Sequence, residues 1–227
     1  MSTAVARRHL TVEEYLELDA DADEVRYEYL DGRVWALAGA APPHNLVKDN
    51  IRTEFHTRLR PRGCRSFTSD QRVQLTEERY VYPDVAVVCG PPEYTDESPP
   101  SLVNPELLVE VTSASTADRD HQDKLDAYLQ LDSLQEYWIA SPSRILITQY
   151  VRQDEEWVVR SVRNREAVLR CEALDIELDM DDIYALVDTK HTEHRGGRRL
   201  LALAPPPLAV GKGTSSRVPP ELMTRSS

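Results

Sequence analysis

Residues 106–111 read ELLVEV. Leu107, Leu108, Val109 and Val111 make an apolar run of the kind that forms a strand buried on both faces, so the fold needs a sheet with both sides covered. Glu110 interrupts that run. A carboxylate in such a place costs several kcal/mol unless something pairs with it or raises its pKa. Whatever the chain folds into must supply a partner for Glu110.

A second acid is the first candidate. In YVYPDVAVVCG, Asp84 directly follows Pro83 and precedes the apolar run Val85–Cys89. Proline cannot donate to a ladder and tends to open a strand or lie on an edge, which puts Asp84 near a strand's start, while Glu110 is near a strand's end. The intervening GPPEYTDESPPSLVNP is rich in turn formers and lets the chain reverse. If the two strands pair antiparallel, start meets end and the carboxylates come together. Two such groups in a partly buried site repel, so one takes a proton or a cation sits between them. Hard oxygen ligands suit magnesium or manganese. The competing reading has Asp84 capping a turn and Glu110 in a structural ion pair, and the pattern alone leaves both open.

The remaining elements place further candidates. Thr11 with Glu14 is a capping box opening a short helix through TVEEYLELDA. RYEYLDGRVWALAG is a hairpin turning at Asp31-Gly32. HNLVKDNIRTEFHTRLR, closed by Pro61 and Gly63, reads as a helix with Leu46, Val47, Ile51, Phe55 and Leu59 on its buried face. Strand-like runs follow at RSFTSDQRVQL, DVAVVC and ELLVEV; STADRDHQDKLDAYLQL reads as a helix, and EYWIA, RILITQYV and EEWVVRSV as closing strands. The order predicts a mixed α/β (α+β) domain built around one sheet.

In the later helix, Leu125, Tyr128 and Leu129 form the buried stripe and Lys124 lies one turn before Tyr128 on its border. Only four of 27 basic residues are lysines. An ammonium here can steady a phosphate or a water, or it can simply snorkel to the surface. Glu28, opposite Trp35 in the hairpin, is an accessory ligand if it points inward and an arginine partner if outward. His44, at the start of the long helix after Pro42-Pro43, can contact a phosphate, assist proton transfer, or be a satisfied helix-terminal residue. No Gly-rich phosphate loop, GxSxG elbow or HExxH motif occurs.

Composition narrows the class. No stretch approaches 18 apolar residues, and MSTAVARRHL has two arginines without an apolar core, so neither a membrane span nor export is expected. Three cysteines with no close pair, Cys64, Cys89 and Cys171, fit a reducing cytoplasm. The net charge of −12 is unevenly spread: residues 44–72 carry seven Lys/Arg against three Asp/Glu, and residues 106–136 carry eight Asp/Glu against two Lys/Arg. A basic strip beside an acidic cluster suits a metal-dependent enzyme acting on a polyanion, and it equally suits solvated faces of mixed charge.

Taken in order, YEYLDG, a histidine after a Pro-rich turn, YPDVAVV, LLVEVTSAST and DxxxK leading into EYWIA resemble the Uma-two type of restriction endonuclease, within the PD-(D/E)XK nuclease superfamily. The likeness runs from about Thr11 to Leu186. It implies a restriction-endonuclease-like mixed central sheet flanked by helices, and a magnesium- or manganese-dependent hydrolase of DNA phosphodiester bonds. Asp84 and Glu110 would then be catalytic and hold the metal, with the carbonyl of Val111 as a further ligand. Thr112 stands where the superfamily's triplet has lysine; in the Uma-two type the lysine comes from the following helix, and Lys124 matches that place. Glu28 matches an acidic position the family also uses, His44 is an accessory candidate, and Ala114 replaces a proline usual in relatives.

These readings predict a nuclease domain over residues 1–188 and a Pro/Gly/Arg-rich, disordered tail over 189–227. The alternatives are a non-catalytic nuclease-fold protein that binds nucleic acid or a protein partner, and an enzyme acting on RNA or a nucleotide. Nucleases of this kind often work in pairs to cut both strands, so a homodimer is an expectation, although no stretch declares an interface.

Overall fold

The structure, a computed structural model, describes residues 3–4, 9–22, 25–37, 39–112 and 119–189, with the side chains of residues 3–4 and 119–123 excepted. The predicted tail beyond residue 189 and the Ala114 position lie outside the described residues. In chain order the elements are β1 (Thr3–Ala4), α1 (Val12–Ala20), β2 (Tyr27–Leu30), β3 (Arg33–Ala36), α2 (Pro42–Leu59), β4 (Cys64–Thr68), β5 (Val73–Thr76), β6 (Arg79–Val81) and β7 (Val85–Cys89). They continue with β8 (Leu107–Val111), α3 (Arg119–Leu129), β9 (Glu136–Ala140), β10 (Ile147–Gln153), β11 (Glu156–Val162), β12 (Val168–Cys171), β13 (Ile176–Asp179) and α4 (Met180–Ile183).

Local chemistry sets several of these. Thr11 and Glu14 close the expected capping box at the start of α1. Asp31 and Gly32 both take positive φ, 49° and 83°, as a two-residue hairpin turn requires. That turn fixes the register Leu30–Arg33 and Glu28–Trp35.

The expected central sheet has six strands in the order β11-β10-β9-β8-β7-β4. All its pairs are antiparallel except β8 with β9, so the sheet is mixed. Side chains alternate across it. Leu107, Val109 and Val111 point to one face and pack with Val47, Ile51, Phe55 and Leu59 of α2. Leu108 points to the other, where it meets Ala127 and Tyr128 of α3. This is why the ELLVEV segment reads apolar almost throughout: helices cover both sides.

The structure corrects the single-sheet expectation. The N-terminal hairpin belongs to a second, five-stranded sheet in the order β1-β3-β2-β6-β5. One face of that sheet packs Tyr29, Val34 and Tyr80 against Tyr15 of α1. Its other face contributes Leu30, Val73, Leu75 and Val81 to the cluster that also holds the α3 side of the central sheet. The run RSFTSDQRVQL, read as one strand, turns after Thr68 and splits between the two sheets. Leu46 is 37% exposed, off the buried stripe of α2.

The cysteines also depart from expectation. Cys64 and Cys89 are cross-strand partners in β4 and β7 and form a disulfide, whereas Cys171 is free and buried. Sequence separation concealed a pair that the sheet register creates. Among the described residues no helix is long and apolar enough to cross a membrane.

Candidate active site

The antiparallel pairing of β7 with β8, Val85 opposite Val109, brings the start of one strand to the end of the other. Asp84 and Glu110 therefore meet where the pairing runs out. The main-chain groups of Val111 that face β7 have no strand partner there, and Asp84 Oδ2 accepts the Val111 N–H at 2.8 Å. Thr112 N–H bonds back to Ala140 of β9, so the residues alternate between the two edges and the Val111 carbonyl leaves on the β7 edge with its N–H.

His44, at the start of α2, places Nε2 3.1 Å from the same Asp84 Oδ2. Burial would lower the pKa of His44, but the hydrogen bond and the charge of Asp84 outweigh it and hold the imidazole above its ordinary value.

Glu110 is only 14% exposed along its side chain. Its Oε1 accepts the Tyr128 hydroxyl at 2.6 Å and lies 3.9 Å from Lys124 Nζ. Burial pushes the carboxyl up to about 7; Lys124 opposes the shift, and the nearby charges of Asp84 and Glu28 add to it. Lys124 and Tyr128, four residues apart on α3, reach the site from one helix face.

Glu28 faces inward and is 2% exposed. Its carboxylate grips Lys124 Nζ at 2.6 and 2.8 Å and accepts the Tyr82 N–H at 3.2 Å. Burial would lower the Lys124 pKa, but Glu28 and Glu110 more than offset that and push it up to about 12. Lys124 is thus held as an ammonium between two carboxylates.

The structure brings together every residue singled out in the sequence: Asp84, Glu110, Lys124, Glu28, His44 and the backbone of Val111. Tyr128 was missed as a polar contributor because its spacing assigned it to the buried stripe. It does both jobs, stacking on Tyr137 with ring centroids 4.7 Å apart while its hydroxyl reaches Glu110. Its place one turn beyond Lys124 was the available signal.

The donor set is compatible in its chemistry with a hard divalent cation. Hydrogen bonds to Asp84 converge on Oδ2 and those to Glu110 on Oε1. That leaves Oδ1 and Oε2 without a hydrogen-bond partner among the described residues. Also among the described residues, no three His, Cys, Asp or Glu side chains form a ready-made cage. What the described residues offer a hard cation is two carboxylate oxygens and a main-chain carbonyl, a partial shell of the kind magnesium completes with water.

The acids and the lysine stand on a mixed sheet with helices on both faces, the restriction-endonuclease-like architecture expected from the sequence. Its likeness to a crystal structure from Anabaena variabilis, described as "a putative nuclease belonging to DUF820", has a TM-score of 0.61 at 16% identity, covering 77% of this chain and 97% of that one. The chain belongs to the Uma2 family, described as "Putative restriction endonuclease", whose model matches residues 12–181. Two Synechocystis sp. proteins are similar across most of their length. One, "Uncharacterized protein sll1609", is 31% identical over 169 residues, covering 74% of this chain and 95% of the relative. The other, "Uncharacterized protein slr1290", is 29% identical over 177 residues, covering 77% and 91%.

Proposed function

We propose that the protein is a divalent-metal-dependent endonuclease that hydrolyses phosphodiester bonds of DNA, with Asp84, Glu110 and Lys124 as its catalytic residues and Glu28 supporting them. The observation that carries this reading is the convergence of two carboxylates and a locked ammonium at one strand junction, where a merely structural ion pair would need one of each. Asp84 and Glu110, with the Val111 carbonyl, would hold magnesium or manganese, which when bound supplies a Lewis acid for water and for the phosphate.

The chain's own groups have definable tasks. Lys124 stays protonated and offers positive charge and N–H donors to the phosphate as negative charge builds on it. Glu28 fixes the ammonium in place. Tyr128 orients Glu110 so that Oε2 stays available. His44 and the Val111 N–H hold Asp84 through one oxygen and leave the other free. Cutting both strands of a duplex calls for two such sites, so a homodimer on DNA goes with this proposal.

The test is cleavage of DNA in magnesium or manganese. Asp84→Asn and Glu110→Gln are expected to abolish it, and Lys124→Met to slow it about a hundredfold or more. Cleavage that survives all three substitutions would refute the site.

A second reading is a nuclease-fold protein that only binds. The satisfied pairing of Glu28 with Lys124 favours it, because that acid needs no further partner. Titration calorimetry with manganese separates the two: a pure binder shows no metal affinity that Glu110→Gln removes.

A further inference from the structure

The long helix α2 carries His44, Lys48 and Arg52 at intervals of four residues, hence on one face and in steps of about 6 Å along the axis. This row starts at the acid pair, through His44 and Asp84. It then runs along the edge strand β4, where Lys48 Nζ lies 3.4 Å from Ser69 Oγ in the turn after that strand.

Two facts single the row out. Among the described residues, the buried side-chain nitrogens left without any hydrogen-bond partner are His44 Nδ1 and Arg52 Nε, both on this row. Buried nitrogens are ordinarily satisfied; these two are enclosed and unbonded, so each side chain would have to turn to offer its nitrogen to an acceptor from outside. Apart from Arg60, which follows the end of α2 at the same four-residue spacing, the other cations of the basic segment are already committed. Arg58 pairs with Glu54, Arg62 and Arg65 donate to the carbonyls of Leu174 and Gly90, and Arg72 is buried against Asp19. Lys48 and Arg52 have no carboxylate partner among the described residues. The first turn of α2 carries no acidic residue either, so the positive end of its dipole is not offset from within the helix.

We infer that His44, Lys48 and Arg52 seat successive phosphates of the strand being cut, on one side of the scissile bond. The inference rests on the nuclease reading and sharpens it: the substrate is a continuous polynucleotide strand, since a mononucleotide would leave most of the row empty. A chain of net charge −12 repels a polyanion in general, so a short uncommitted cationic row is what would give the strand its path.

The test reads binding without cleavage. With the full chain in EDTA, a fluorescein-labelled DNA duplex is titrated by anisotropy across a salt series. Lys48→Gln and Arg52→Gln are each expected to weaken binding about fivefold or more at low salt, and to reduce the slope of log affinity against log salt by about 1. Arg58→Gln, whose partner is Glu54, should match the wild type. Arg52→Lys should recover most of the loss, and Lys48→Gln, at a partly buried position of the same row, guards against a folding defect at Arg52. Wild-type affinity and slope in both Lys48→Gln and Arg52→Gln would overturn the inference, as would a wild-type protein that does not bind DNA at all. A wild-type protein that binds through the row yet never cuts in magnesium or manganese would sink the nuclease reading and leave the row standing.

Discussion

At the scale of single residues, Glu110 shows why a sequence can betray a site. Its neighbours made its carboxylate conspicuous, and Pro83 with the turn-rich segment 90–105 made Asp84 its natural partner. Glu28 could not be placed from sequence because both faces of its hairpin are covered, one by α1 and the other by the shared core, so alternation gave no inside. Tyr128 was invisible as a polar group because an aromatic at helical spacing reads as core. The burial of Glu110 has a measurable consequence. Without metal its folded-state pKa, about 7, lies above the ordinary 4.5, so the folded chain holds more protons than the unfolded one between those values. Stability therefore falls as pH rises from about 4.5 to 7, by at most about 1.4 kcal/mol per pH unit from this group. His44 shifts in the same sense, so the comparison that isolates Glu110 is urea unfolding of wild type and Glu110→Gln, both in EDTA, at pH 5 and pH 7. The wild type should lose more stability over that interval. Equal losses would show that the carboxyl is not strained by burial.

At the scale of elements, strong apolar periodicity was legible and short or polar strands were not. The spans of α1, β7, β8 and β9 followed from their patterns, and the hairpin register followed from Asp31-Gly32. The strands β6, β12 and β13 are three or four residues long, too brief for any period to register. β9 held a further surprise. Glu136, at its first position, is fully buried, yet its carboxylate accepts Trp138 Nε1 at 2.6 Å, Gln149 Nε2 at 2.7 Å and the Ala173 N–H at 3.0 Å. It is the pin that ties β9 and β10 to the turn between β12 and β13. Burial raises its pKa, and those donors work against the rise. Glu136→Ala would leave Trp138 Nε1 and the Ala173 N–H unpaired and Gln149 with only the Arg170 carbonyl, and is expected to cost about 3 kcal/mol or more, read as a lowered urea midpoint. Glu136→Gln keeps an acceptor oxygen and should cost less. Equal effects of the two substitutions would mean that side-chain volume, not hydrogen bonding, holds the joint.

At the scale of the whole molecule, the candidate site depends on two sheets meeting correctly, since Glu28 comes from one and Asp84 and Glu110 from the other. No local pattern in the sequence announces that meeting, because the contacts that make it join residues dozens of positions apart. Arg72 lies at the join. It is 2% exposed, with Nη1 2.8 Å from Asp19 Oδ2 and Nε 2.7 Å from Ser101 Oγ, and its guanidinium sits over the rings of Tyr15 and Tyr80. Asp19 in turn accepts the Tyr82 hydroxyl and the Tyr27 N–H, so one ion pair fixes α1, the hairpin strand β2 and the segment leading to Asp84. Removing one member strands a buried charge. Arg72→Met is therefore expected to cost about 3–5 kcal/mol, and Asp19→Leu a comparable amount. The double substitution should cost clearly less than the sum of the two, because the two buried charges then go together and only the partly exposed Glu97, 3.5 Å from Arg72 Nη2, loses a partner. Activity should follow geometry: in Arg72→Met the hairpin loosens, Glu28 loses its hold on Lys124, and cleavage falls even at temperatures where the chain stays folded. Additive destabilisation in the double variant, measured by urea unfolding, would show that Arg72 and Asp19 act separately and that the sheets are joined by their apolar contacts alone.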